Sequence, residues 1–156
     1  MESEEKESQE FFNRMARLCS KAEQCSPDIR RKIRELGGTS LMAEQIIARL
    51  EQENFLNDER FVTHYVGDKI KLNQWGRIKI HYYLKMKGLD EKVIERGLDA
   101  IDQEEYIRML IRTMKEKAKG IKKKGKYEKM GQIIRFTQSR GFEPELIHRY
   151  LNEVID

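Results

Sequence analysis

Apolar residues recur three and four apart along most of this chain, and no segment alternates apolar and polar positions long enough to predict a strand. Phe11, Phe12, Met15, Leu18, Cys19 and Ala22 share one face of a first predicted helix. Ser26 followed by Pro27 reads as an N-cap with a first-turn proline, opening a short helix through Leu36 that Gly37 and Gly38 stop. Ser40 can cap a third helix with Ile46, Ile47 and Leu50 inward. Asn57 or Asp58 caps a fourth, whose apolar arc is Phe61, Val62, Tyr65, Val66 and Ile70, and residues 73–76 break it. The fifth runs to about Lys87, where Gly88 ends it. The sixth starts near Asp90 and carries Val93, Ile94, Leu98 and Ile101. The seventh starts near Gln103, with Tyr106, Leu110, Thr113 and Met114 inward. Residues 120–125 read as a basic loop or frayed helix end, and two more helices flank Gly141.

Part of this pattern occurs twice. Ile80, Leu84, Lys87, Gly88, Leu89, Asp90, Val93, Ile94 and Leu98 are repeated as Ile133, Thr137, Arg140, Gly141, Phe142, Glu143, Leu146, Ile147 and Leu151, at a constant offset of 53 (141 minus 88). Each copy is a helix, a basic residue, a glycine stop, an apolar residue, an acidic residue and a second helix. A first, more divergent copy ends at Leu50, its stop blurred by the double glycine. Repetition at this period predicts an all-α fold of three tandem three-helix repeats stacked into an elongated, curved rod. The expected boundaries are an acidic flexible N-terminus at 1–8, then repeats at 9–56, 57–101 and 102–156. Such a rod offers an extended surface rather than an enzyme pocket.

Charge sharpens that picture. The net charge of the 156 residues is +4, but it is unevenly spread. The head through Glu10 holds five glutamates against Lys6. Between Arg60 and Lys87 seven basic residues face one acid, and between Arg112 and Lys129 nine face two. A basic middle suggests a polyanion or an acidic protein surface as partner, against the simpler reading of solvated helix faces. Two cysteines, Cys19 and Cys25, suggest no disulfide framework, so a reducing cytoplasmic location is expected. No apolar run is long enough to span a membrane, so no membrane partner is expected.

On a wheel at about 100° per residue, Arg108, Arg112, Lys115 and Lys119 form a narrow stripe opposite the apolar face of the seventh helix. Lys122, Lys123, Lys124 and Lys126 continue that charge into the following loop. On the fifth helix Arg77, His81 and Lys85 lie four apart, with Lys79 and Lys87 to the sides, and Lys69 and Lys71 precede them. These fifteen residues are the candidate binding set. On the same helix Ile80, Tyr83 and Leu84 are expected to face the core, whereas Tyr82 and Ile78 share another face. The tyrosines could pack inside or stack on bases. Trp75 before Gly76 reads as a packing plug. Catalysis has little support: His64, His81 and His148 follow no metal-ligand spacing, and there is no phosphate loop or nucleophile elbow. No catalytic residue, metal or cofactor is expected.

At Phe55-Leu56-Asn57-Asp58-Glu59-Arg60-Phe61, then Trp75-Gly76-Arg77-Ile78-Lys79-Ile80, then Lys87-Gly88-Leu89-Asp90, the chain resembles RecX, a family of bacterial regulators of the RecA recombinase. The likeness extends over about residues 9 to 155 and is closest in the central repeat. Asn57 stands where the family usually has Asp, and either residue caps a helix. The resemblance implies a cytoplasmic, non-enzymatic modulator, usually an inhibitor, of RecA in DNA repair, the SOS response and homologous recombination. It implies a protein, expected here as a monomer, that lies in the groove of the RecA–DNA filament and opposes its growth, ATP hydrolysis, strand exchange and co-protease function. Accessory binding of single- or double-stranded DNA through the basic helix faces is expected with it. From the residues alone two other readings stay open. One is a sequence-specific helix-turn-helix DNA-binding protein acting without RecA, although lysine-rich stripes suit backbone contact better than base readout. The other is a helical-repeat adaptor for an acidic protein.

Overall fold

A computed structural model describes residues 2–122 and 125–155. Among them the regular structure is helical throughout: α1 (Glu2–Lys21), α2 (Ser26–Glu35), α3 (Ser40–Gln52), α4 (Asp58–Asn73), α5 (Arg77–Lys87), α6 (Glu91–Asp99), α7 (Gln103–Lys119), α8 (Lys126–Ser139) and α9 (Pro144–Tyr150), with a closing 3-10 turn at Leu151–Glu153. No helix among the described residues is long and apolar enough to cross a membrane. The chain divides into two compact units. One comprises Met1–His64 with Lys85–Ile94, and the other Tyr65–Leu84 with Glu95–Asp156.

The core of the first unit is built from the faces that the periodicity selects. Phe11, Phe12 and Met15 of α1, Ile29 and Ile33 of α2, and Ala43, Ile46, Ile47 and Leu50 of α3 are buried together with Leu56. Phe12 meets Phe55 edge to face at 6.2 Å, and the Arg49 guanidinium covers the Phe12 ring at 3.7 Å. In the second unit Tyr106, Leu110, Met114 and Ala118 of α7 pack with Ile133, Phe142, Ile147 and Leu151. Thr113 and Thr137 are also buried, their hydroxyls donating to the Met109 and Ile133 carbonyls one turn back.

Helix ends differ from expectation by a residue in several places. The acidic head is helical, with Glu2, Glu4 and Glu5 in the first turn of α1, where the helix dipole favours negative charge. Cys25, not Ser26, is the N-cap of α2, so the two cysteines do not share a helix. Thr39, not Ser40, caps α3, its hydroxyl accepting from the Met42 N–H at 3.1 Å. Asn57 caps α4 by accepting from the Arg60 N–H at 3.0 Å, and Asp102 caps α7. The repeat glycines each have a left-handed backbone: Gly37 (φ +96°), Gly88 (φ +99°) and Gly141 (φ +92°). Gly37 is therefore the stop of the divergent first copy, 51 residues before Gly88 rather than 53.

Candidate functional site

The second unit is organised around the start of α5. The first N–H groups of a helix have no partner inside it. Here Gly76 donates to the Arg140 carbonyl (2.7 Å), Ile78 to the Gly141 carbonyl (3.0 Å) and Arg77 to the Tyr106 hydroxyl (2.9 Å). Two of those acceptors lie just beyond the C-terminus of α8, so one helix start and one helix end satisfy each other. The approach needs two glycines. A Cβ on Gly76 would stand 2.4 Å from the Gly141 oxygen, and one on Gly141 would stand 2.3 Å from Lys79 Cβ. Arg77 closes the junction: it pairs with Glu143 at 3.1 Å, donates to Gln103 at 2.6 Å and lies 4.0 Å over the Tyr106 ring. The Tyr106 hydroxyl donates to Glu143 as well. Burial, and then the Glu143 hydrogen bond, push the Tyr106 pKa well above its ordinary value.

The first unit repeats this logic with different chemistry. The Gly88 turn lies against Pro27 at the start of α2. Lys87 pairs with Asp28 at 3.0 Å, and Arg31 donates to the Lys87 carbonyl at 3.4 Å. Burial opposes ionisation of Asp28, but hydrogen bonds from Lys87, Arg31 and the Cys25 thiol outweigh it and hold the carboxyl below its ordinary range. Burial pushes the Cys25 thiol up to about 12, so it stays protonated and inert. The Asn57-Asp58-Glu59-Arg60-Phe61 phrase does more than cap α4. The Asp58 carboxylate accepts from the Ser26 N–H (2.7 Å) and hydroxyl (2.5 Å), serving the open end of α2. Arg60 Nε donates to both carboxylate oxygens of Glu23, and its guanidinium also reaches the carbonyls of Asn54 and Phe55. That fixes the turn in which Asn54 is left-handed (φ 63°).

The candidate cations therefore fall into groups. Arg77 and Lys87 are engaged inside their units, and Lys85 pairs with Glu91 at 2.8 Å. His81 is half-buried and Lys71 exposed. Lys69 and Lys79 each lie 4.7 Å from the Trp75 ring. On α7, Arg108, Arg112, Lys115 and Lys119 are all exposed along one stripe, as are Lys122 and Lys126 beyond it. Arg108 has Glu104 at 3.9 Å, while Arg112, Lys115 and Lys119 form no ion pair among the described residues. Lys123 and Lys124 lie outside the described residues.

Of the aromatic positions on α5, Tyr83 differs from expectation and Tyr82 does not. Tyr83 is not in the core: it is 40% exposed, and Tyr82 is 57% exposed. Trp75 is half-buried and stacks on Tyr83 with ring centres 5.1 Å apart. The sequence signal was present as a lone Trp with lysines six residues before and four after it, but spacing alone could not say that both would fold onto the ring.

Comparison with known proteins bears on this arrangement. Residues 57–98 match the family model of RecX, second three-helix domain. Regulatory protein RecX of Clostridium perfringens (strain 13 / Type A) is 29% identical over 133 residues, 84% of this chain and 62% of that one. The same protein from strain SM101 is 30% identical over 132 residues, 83% of this chain and 61% of the other. This chain thus spans about three-fifths of the length of those two relatives. Regulatory protein RecX of Caldanaerobacter subterraneus subsp. tengcongensis is 25% identical over 146 residues, 94% of this chain and 71% of that one. The crystal structure of RecX from Lactobacillus salivarius has the same fold, with a TM-score of 0.87 at 18% identity, covering 94% of this chain and 96% of that one.

Proposed function

We propose that this chain, which belongs to the RecX family of regulatory proteins, binds RecA filaments on DNA and lowers their ATP hydrolysis, strand exchange and co-protease activity. It acts as a cytoplasmic monomer whose repeats divide near residues 56 and 101. The observation that carries the reading is the stripe of Arg108, Arg112, Lys115 and Lys119. Four exposed cations in successive turns repel one another by a few tenths of a kcal/mol per adjacent pair. A stripe of that kind suits phosphates or a run of carboxylates. Interactions of modest individual strength suffice when the target is a filament, because the first one formed raises the effective concentration for the next.

The test adds the protein to RecA assembled on single-stranded DNA and follows ATP hydrolysis and filament co-sedimentation. Hydrolysis falls as the protein approaches stoichiometry with RecA, and the protein pellets with the filament. With Arg108, Arg112, Lys115 and Lys119 all replaced by Glu, more protein is needed for the same inhibition. Its log–log salt slope becomes shallower by roughly 3, at about 0.7–0.9 for each phosphate that the variant leaves unneutralised. Unchanged hydrolysis with no co-sedimentation at stoichiometric protein overturns the reading; an unchanged salt slope removes the α7 stripe from it.

A further inference from the structure

One face of α1 carries charge in an order that its own helix does not explain. At about 100° per residue, Glu7, Glu10, Arg14, Arg17 and Lys21 fall within a single arc, spaced three and four apart, and all five are exposed. The arc is acidic in its first half and basic in its second. The helix dipole favours acid at the start and base at the end, but only within the first and last turns. It does not account for Glu10 and Arg14 at the middle of α1. Those two stand one turn apart, in the order that suits an ion pair within a helix. Yet none of the five forms an ion pair among the described residues.

The arc borders an apolar trough. Two cavities of about 340 and 230 Å³ share Arg14 and Leu36 in their walls. Arg17 and Lys21 rim the larger, which Met15 and Leu18 also line, and Glu7 and Glu10 rim the smaller, which Phe11 lines. Leu36, just past the end of α2, is 42% exposed. It stands beside the point where the arc changes sign.

An order of charge that reverses at its centre is complementary to itself when turned round. Laid antiparallel against a second copy, Glu10 faces the partner's Arg14. Three residues further out on both helices, Glu7 faces the partner's Arg17, so one register satisfies both pairs, and the two-fold axis doubles them. The same axis brings the two exposed leucines together at the middle. A parallel copy would set like charges opposite each other, which is costly. A nucleic acid or a wholly acidic peptide would use the basic half and meet repulsion at Glu7 and Glu10.

We propose that two copies of this chain associate through α1 in antiparallel, two-fold register, with Leu36 at the centre and the Glu10–Arg14 and Glu7–Arg17 pairs on either side. Exposed ion pairs are individually weak, so the association is reversible and salt-sensitive, a state of free chains. It goes beyond the regulatory reading above, in which single chains act on a filament, and its test uses no RecA, so either can fail alone.

The full chain is followed by sedimentation equilibrium from micromolar to millimolar concentration, in low salt and in about 1 M salt, where the screening length shortens to ~3 Å. In low salt the average mass rises from 18.6 kDa towards twice that value, and high salt abolishes the rise. Two variants separate pairing from unspecific association. Glu7→Arg with Glu10→Arg makes the arc wholly basic, and Arg14→Glu with Arg17→Glu makes it wholly acidic. Each alone stays at the monomer mass, and an equimolar mixture regains the dimer, because the two reversed arcs complement each other. Should either double variant lose its helical circular dichroism, the single reversals Glu10→Arg and Arg14→Glu carry the same comparison. Leu36→Glu sets two like charges at the axis and weakens association about tenfold or more. A native chain that stays monomeric throughout overturns the proposal, as does association that survives high salt. Association undiminished in a double variant or in Leu36→Glu overturns it in favour of another surface, and a mixture no heavier than its parts overturns the antiparallel register.

Discussion

Gly88 and Gly141 occupy the same place in the repeated phrase and share a left-handed backbone, yet alanine should affect them very differently. At Gly88 (φ +99°) the nearest foreign atom to an added Cβ is Pro27 Cβ at 3.4 Å, an ordinary contact. Gly88→Ala therefore carries only the left-handed strain of a side chain, about 1–2 kcal/mol. At Gly141 (φ +92°) the added Cβ would stand 2.3 Å from Lys79 Cβ and 2.6 Å from Lys79 N. Lys79 N and Cβ are fixed by the first turn of α5, so the Arg140–Gly141 turn must withdraw. Withdrawal breaks the hydrogen bonds from Gly76 to Arg140 and from Ile78 to Gly141, each worth about 1 kcal/mol net. Gly141→Ala should thus cost roughly 3–4 kcal/mol, about 2 kcal/mol more than Gly88→Ala. The assay is urea unfolding followed by circular dichroism. With a slope of about 1–3 kcal/mol per M, the two variants should be separated by on the order of 1 M in midpoint. Equal midpoints, or a milder effect at Gly141, would refute the reasoning that this glycine serves close approach as well as conformation.

Arg60→Lys keeps the charge but loses the fork that holds Glu23 and two turn carbonyls together; unfolding in urea should show a loss of about 1–2 kcal/mol, and a change under about 0.3 kcal/mol would mean the fork contributes nothing. Asp28 titrates lower in the folded chain than its ordinary value of 3.8. Its contribution to stability is therefore complete above that value and is lost as pH falls through the lower folded one. Urea midpoints measured from about pH 5 downward should fall less steeply for Asp28→Asn than for the native chain, and parallel profiles would remove Asp28 as a source of acid sensitivity.

The inward faces of α1, α3, α4 and α7 were legible because a helix repeats every 3.6 residues whatever surrounds it. The same is true of the glycine stops, since only glycine takes a left-handed backbone freely. N-caps were legible to within a residue, and the misses at Ser26 and Ser40 share a cause. Several adjacent side chains could serve, and the choice depends on what else comes near. Ser26 is drawn to Asp58, 32 residues away.

The candidate cations divide along the same line. The α7 stripe follows from spacing along one helix, and it remained exposed when the chain folded. Arg77 looked like its equal in sequence, but Glu143, 66 residues later, turned it into a structural clamp. Trp75 looked like a plug and became a half-buried ring under two lysines. The sequence by itself thus determined the helices, their apolar faces, the repeat and the excess of basic charge, because each depends on neighbours within a turn or two. Tertiary structure alone decided which cations are spent on internal carboxylates and which face outward beside aromatic rings, because ion pairs and ring contacts act over a few ångströms between residues that lie far apart along the chain.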